Sequence, residues 1–276
     1  MTNRISSEIT GGSVLILGYG REGKCVHRYL CSVAPQLRIA VCDEQAVELI
    51  AEASPDCAVF TGKECFLRAP RCTTLIRSPG LSPMKIPPAL RDDAWQTSLM
   101  NIFFSLAPGK IIGVTGTKGK STTSSLIHRV LSTHYRDVRL VGNIGLPALD
   151  YLPGASADTI FVCELSSFQL EDLRFSPHIA VLLEIFPEHL DHHGTFEQYE
   201  RAKLNITVNQ RTNDFLVINK FQYKHPQLSL MTSANRVFFT EEPTTGSSVF
   251  LDNNCITIAQ NGEAIPLLRA DELRLL

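Results

Sequence analysis

No part of this 276-residue chain approaches the roughly 18 or more consecutive apolar residues that a membrane-spanning helix needs. The opening MTNRISSEITGG also lacks the apolar run of an export signal. Together these absences predict a cytoplasmic protein with no membrane partner. An excess of one charge is missing too. Against 28 Asp and Glu stand 26 Lys and Arg, and a net −2 offers no electrostatic footprint for nucleic acid. Eight cysteines contain no C-x-x-C pair, and Cys42 (in IAVCD) and Cys163 (in IFVCE) lie inside apolar runs. Reduced, mostly buried thiols are therefore expected, not a zinc knuckle or a disulfide framework.

What is present is length for about two domains and an ordinary globular composition, 44% hydrophobic and 20% charged. The stretch that organises the chain is IIGVTGTKGKS, residues 111–121. Ile111 to Thr115 read as a buried strand, Gly116-Thr117-Lys118-Gly119 as a tight loop, and Lys120-Ser121-Thr122 as the start of a helix. Leu126, Ile127, Val130 and Leu131 follow at helical spacing. Strand, glycine loop and helix turn backbone N–H groups and a helix N-terminus toward a phosphate chain. Lys120 is then placed to reach the β- and γ-phosphates, and Ser121 to hold magnesium. The spacing is shorter than the strict Walker form, with Val114 where its first glycine would stand.

Upstream, Val14 to Leu17 end in Gly18-Tyr19-Gly20-Arg21-Glu22-Gly23. A helical pattern (Cys25, Val26, Tyr29, Leu30) and a second strand, Leu37 to Cys42, close on Asp43. This is a β-α-β unit with G-x-G-x-x-G at its first turn and an acid about 20 residues on. The fingerprint suits any diphosphate, so a nicotinamide cofactor and an oxidoreductase activity remain open at this point. A helix over 46–53 and strands at 57–60 and 74–76 are expected next. The last runs into the loop Arg77-Ser78-Pro79-Gly80, beyond a strand end where ligands of open α/β sheets sit. Trp95 to Leu106 reads as one apolar helix, and Ala107-Pro108-Gly109 marks a domain boundary. The expected domains are 1–107 and 108–276.

Beyond the phosphate loop come strands at 138–141, 159–163, 179–183 and 215–219. A helix begins at Thr195, with Gln198 completing a capping box. Alternating strand and helix predict an α/β protein with mostly parallel sheets. From Arg236 onward VFFT, SVFLD and CITIA, with hairpin turns at Asp252-Asn253-Asn254 and Asn261-Gly262, predict a small antiparallel appendage.

Glu164 ends the buried strand IFVCE, where a phosphate-loop protein keeps the acid that holds magnesium. Glu184 to His193 pack three histidines and three acids into ten residues. Zinc is conceivable there, but HLDHH lacks the i, i+4 pair of H-E-x-x-H and no cysteine is close. A second magnesium contact is the expectation. Lys203 has by spacing alone nothing to mark it.

These strings resemble the Mur ligase family: SPG at 78–80, GTKGKST at 116–122, GNIGLPAL at 142–149, ELSSFQLE at 164–171, EHLD at 188–191 and YERAKLNI at 199–206. ELSSFQLE points, within that family, to its D-glutamate-adding branch. The resemblance implies an amino-terminal Rossmann-like domain, a central ATP-binding domain, and a third domain that would begin where this chain ends. It implies an ATP- and magnesium-dependent ligase joining D-glutamate to UDP-N-acetylmuramoyl-L-alanine in peptidoglycan synthesis, acting as a monomer. The truncated alternative is a catalytically silent binding module.

Carried over residue by residue, the resemblance puts Gly116 to Thr122 on the ATP phosphates and Ser121 and Glu164 on one magnesium ion. His189 and a carbamylated Lys203 would hold the second. Gly18, Tyr19, Gly20, Arg21, Asp43, Ser78, Pro79 and Gly80 would hold the uridine diphosphate, displacing the nicotinamide reading. Asn143 and Ser166 would face the muramoyl substrate. Three residues depart from the family pattern: Lys118 stands where asparagine is usual, and Glu184 and Glu188 where asparagine and aspartate are common.

Overall fold

The structure is a computed structural model that describes residues 6–9, 11–221, 232–241, 247–260 and 262–272. The first half of the chain builds a five-stranded, wholly parallel sheet in the order β3-β2-β1-β4-β5. Its strands are β1 (Ser13–Leu17), β2 (Arg38–Asp43), β3 (Ala58–Thr61), β4 (Thr74–Arg77) and β5 (Trp95–Thr97). Val14 to Leu17 are buried on both faces, as expected of a central parallel strand covered by helices. The helices are α1 (Arg21–Val33), the single turns α2 (Cys65–Arg68) and α3 (Pro88–Arg91), and α4 (Leu99–Leu106).

Two expectations fail in this half. Residues 46–53 form no helix. Val47, Leu49 and Ile50 all reach the core, and the Ile50 N–H donates to the Tyr19 hydroxyl at 3.4 Å. Tertiary packing overrides local helix preference there. The apolar run 95–106 is split as well: Trp95 to Thr97 pair with β4, and Ser98 starts α4 by accepting a hydrogen bond from the Asn101 N–H. Such a cap contributes about 1 kcal/mol.

The second half builds a nine-stranded sheet, β14-β13-β12-β11-β10-β9-β6-β8-β7. Its strands are β6 (Lys110–Thr115), β7 (Val138–Gly142), β8 (Ile160–Glu164), β9 (Ile179–Leu182), β10 (Phe215–Asn219), β11 (Asn235–Phe239), β12 (Ser247–Asp252), β13 (Cys255–Gln260) and β14 (Glu263–Arg269). The helices are α5 (Lys120–Ser132), α6 (Ser167–Leu170), α7 (Leu190–His193) and α8 (Phe196–Val208).

The antiparallel part is narrower than expected. β11 and β12 continue the parallel order, and among the described residues only the pairs β12–β13 and β13–β14 are antiparallel. Asn253 and Asn254 take φ of 45° and 63°, the left-handed backbone that a tight hairpin needs. Asn261 of the second hairpin lies outside the described residues. On α5, Ile127 and Leu131 pack inward while Leu126 and Val130 stay exposed. Thr195 caps α8 through the Gln198 N–H, whereas the reciprocal capping box belongs to Ser166 and Gln169 at α6.

A continuous core joins the sheets. Phe103 of α4 meets Phe161 of β8 edge to face, with ring centroids 5.2 Å apart. Polar ties add to it: Arg77 reaches Asp172 at 2.8 Å, Arg174 pairs with Glu8, and Arg21 donates to the Gly145 carbonyl. Among the described residues no helix is long and apolar enough to cross a membrane.

Candidate functional site

Parallel strands deliver their carboxyl ends to one sheet edge, and there the expected residues gather. Gly116 (φ 152°) and Gly119 (φ 84°) bend the chain between β6 and α5. A Cβ at Gly116 would lie 2.5 Å from that of Leu183, so the loop rests directly on the end of β9. Thr117 fastens it there. Its N–H donates to the Glu184 carbonyl at 2.8 Å, and its hydroxyl accepts the Phe186 N–H and lies 3.0 Å from the Tyr199 hydroxyl. Thr117 is thus a buried anchor, while Lys118, Gly119, Ser121 and Thr122 face solvent.

Lysines converge on this loop. Lys120 folds back to donate to the Gly116 and Thr117 carbonyls at 3.0 and 2.9 Å. Lys203, at 1% exposure, approaches from α8 and donates to the same Gly116 carbonyl at 2.8 Å, its Nζ 4.8 Å above the Tyr199 ring. Burial, then the Lys120 charge, lower its amine to about 7 against a weaker opposing pull from Glu188. Spacing alone gives no hint of this, because Gly116, whose carbonyl Lys203 binds, is 87 residues away in the chain.

Glu164 lies one strand over, in register with Val114. It is buried, its Oε1 accepts from the Asn143 Nδ2 at 2.8 Å, and its Oε2 is buried with no partner. Gly142 brings Asn143 into place with φ 103°, its Cα so close that a Cβ would sit 2.2 Å from the Glu164 carbonyl oxygen. An unpartnered buried carboxylate oxygen beside a lysine-lined loop is a donor for a hard cation, which oxygen ligands suit.

His189 takes φ 54° at the start of α7, and its Nε2 lies 3.7 Å from Glu188. Glu188 in turn accepts from Lys118 at 3.0 Å, a bond that holds its carboxyl below the usual range. These contacts bring the 184–193 segment to the phosphate loop. Ser166 is occupied differently, its hydroxyl accepting the Gln169 N–H in the α6 cap.

A cavity of about 500 Å³ opens between the sheets, lined by Gly18, Gly20, Arg21, Asp43, Ser78, Pro79, Gly80 and Asn143. The Ser78 hydroxyl donates to the Gly18 carbonyl at 2.7 Å and ties the two loops together. Gly23 is the close-approach position of the fingerprint, since a Cβ there would meet the Gly18 oxygen at 2.2 Å. Tyr19 does not face this cavity with its ring. That ring is buried with its hydroxyl 2.6 Å from His27, and only its backbone N–H touches the site, donating to Asp43 at 2.7 Å. Sequence reasoning missed Glu22, which lines the cavity and accepts from Gln169 at 2.7 Å while its Oε2 stays unpartnered. Burial raises this carboxyl to about 6. It also missed Lys85 on the cavity wall.

A lysine-rich glycine loop on one mostly parallel sheet, a buried carboxylate beside it, and a second, Rossmann-like sheet across a shared cavity define a two-sheet α/β protein with a phosphate-loop-like strand, turn and helix. The profile of the Mur ligase middle domain matches residues 114–251, half of the chain, and the chain belongs to the Mur ligase family. It is 32% identical to the UDP-N-acetylmuramoylalanine–D-glutamate ligase of Caldicellulosiruptor bescii over 276 residues, covering 96% of this chain and 60% of that protein. A UDP-N-acetylmuramoyl-L-alanine–L-glutamate ligase from Micromonospora sp. is 38% identical over 217 residues, covering 72% of this chain and 44% of that protein. The chain thus spans 60% or less of each of these relatives. In fold it is similar to the crystal structure of UDP-N-acetylmuramate:L-alanyl-gamma-D-glutamyl-meso-diaminopimelate ligase from Neisseria meningitides. That match has a TM-score of 0.50 and 14% identity, over 92% of this chain and 86% of the other.

Proposed function

We propose that this chain is the UDP-sugar- and ATP-binding part of a cytoplasmic amide ligase that adds D-glutamate to UDP-N-acetylmuramoyl-L-alanine in peptidoglycan synthesis. Residues 1–107 would be the UDP-sugar half and 108–276 the ATP half. The observation that carries this reading is one sheet edge that bears Lys120, Lys203 and the unpartnered Glu164 Oε2, with a cavity beside it lined by the first glycine turn, the Ser78-Pro79-Gly80 loop and the Glu164-bound Asn143.

The chemistry follows from the substrate. A carboxylate is a poor acyl donor, because its leaving group would be oxide. Transfer of the γ-phosphoryl to the alanyl carboxylate oxygen gives an acyl phosphate. The glutamate amine then attacks the carbonyl carbon, the C–O bond to phosphate breaks, and the amine loses a proton. The chain supplies position and positive charge, and no protein nucleophile is needed. Gly116, Thr117, Lys118, Gly119, Lys120, Ser121 and Thr122 would cradle the triphosphate, with Lys120 swinging from the Gly116 and Thr117 carbonyls onto it. Gly18, Gly20, Arg21, Asp43, Ser78, Pro79 and Gly80, with the Tyr19 N–H, would hold the uridine diphosphate. Asn143 and Ser166 would orient the muramoyl end.

Glu164 and Ser121 would hold one magnesium ion, and His189 with a carbamylated Lys203 a second; ions held there would supply positive charge against the spreading phosphoryl charge. Lys203 suits the carbamate we assign to it. Its amine is sheltered and donates only to the Gly116 carbonyl, and the N–H that a carbamate keeps preserves that bond.

Calorimetry with each ligand tests the two-site reading. Lys120→Ala should weaken ATP at least 100-fold and leave UDP-N-acetylmuramoyl-L-alanine within about twofold, since the lysine touches one ligand only. Equal loss of both contradicts the assignment. The Micromonospora relative makes L-glutamate the second reading, and phosphate release measured with each enantiomer separates the two.

A further inference from the structure

The 184–193 segment offers two histidines that the proposed ATP site does not use. Folding brings them to an acid from another segment. Glu171, at the C-terminal end of α6, lies with its Oε2 3.3 Å from the His192 Nε2 and its Oε1 3.8 Å from the His193 Nδ1. The three donor atoms lie within 4.8 Å of one another, the one such group among the described residues. Ligands held about 2 Å from a tetrahedral zinc ion stand roughly 3.3 Å apart, so the observed spacing needs little adjustment.

We infer that Glu171, His192 and His193 form a second, transition-metal site that takes Zn2+ and is separate from the magnesium centre at the phosphate loop. Imidazole nitrogens favour zinc over magnesium, which separates the two ions by ligand chemistry. The supporting groups suit a ligand set. The His193 Nε2 lies 3.0 Å from the Ser167 hydroxyl, and bonding there directs Nδ1 toward Glu171. Phe168 stacks on His193 and meets His192 edge to face, with centroids 5.4 and 4.5 Å away, so both rings are held in place. Arg77 lies 3.4 Å from the Glu171 Oε2 and 2.8 Å from Asp172. It steadies the carboxylate while Oε1 is left for the metal. Glu171 keeps 24% side-chain exposure, enough to admit a water as fourth ligand. The ion would clip α6 to α7, directly behind the Ser78-Pro79-Gly80 loop that Arg77 precedes.

Zinc content after equilibration with Zn2+ and gel filtration, compared between the chain and His192→Gln, tests this. The native chain should retain one equivalent more than the variant, and zinc should raise its melting temperature but not the variant's. Equal zinc and equal melting shifts would overturn the site. Copper-loaded native chain gives a readout that needs no variant: coupling to two imidazole nitrogens supports the site, and its absence rules the site out.

Discussion

The two glycine turns of this molecule share a backbone and differ in what they are loaded with. Each follows a buried parallel strand and opens a 13-residue helix, α1 after Gly20 and α5 after Gly119. Around the first, Glu22, Asp43 and Glu44 mix with Arg21 and Lys85 on one cavity wall. Around the second, Lys118 and Lys120 gather, with Glu188 paired to Lys118. A helix N-terminus attracts phosphate in either place. On the proposed reading, the balance of fixed charge separates a site for a hydroxyl-rich diphosphate from one for a triphosphate with its cations.

The comparison can be broken first at the glycines. Gly23 has the Gly18 oxygen where a Cβ would go, whereas Gly20 has nothing within 4 Å. Gly23→Ala should cost about 3 kcal/mol in urea denaturation and Gly20→Ala less than about 0.5. Equal effects would mean the first turn is not packed as described.

Glu22 sharpens the contrast next. Burial raises its carboxyl to about 6, against a hydrogen bond from Gln169 and the Arg21 and Arg77 charges that lower it, while Asp172 adds to the rise. The native state therefore holds this proton more tightly than the unfolded chain does. The resulting stability is fully present below the ordinary carboxylate value and is lost as pH rises through about 6. Glu22→Gln should stabilise the chain by about 2 kcal/mol above pH ~7 and by almost nothing below pH ~4. A pH-independent difference would contradict the burial assigned to it.

The smallest effect is expected at Lys118, whose side chain is 79% exposed in its pair with Glu188. Lys118→Asn should shift stability by less than about 0.5 kcal/mol. It should let the Glu188 carboxyl return toward its ordinary range, which an NMR titration reads.

Legibility in the sequence followed range. Both turns, the alternation of strand and helix, and the strand-end position of Glu164 could be read locally, because glycine loops and apolar runs are local signals. The failures came from distant partners. The 46–53 stretch is irregular, with the core taking three of its side chains, and Trp95 to Thr97 are a strand because β4 lies beside them. The Gly116 bond of Lys203, the Gln169 bond of Glu22 and the contacts of the Glu171 cluster join residues 21 to 147 positions apart, which no periodicity records. Tyr19 lies in the turn, yet its ring is buried and faces inward, where the resemblance implied ligand.

On the proposed reading, the free oxygen of Glu164 faces a cation held with the triphosphate. ATP affinity with and without Mg2+, in the native chain and in Glu164→Gln, tests it most directly. The amide keeps the shape and the place beside Asn143 but removes the charge. The magnesium-dependent gain in ATP affinity should fall at least tenfold while magnesium-free binding stays unchanged. A variant that keeps the full magnesium gain would contradict the account.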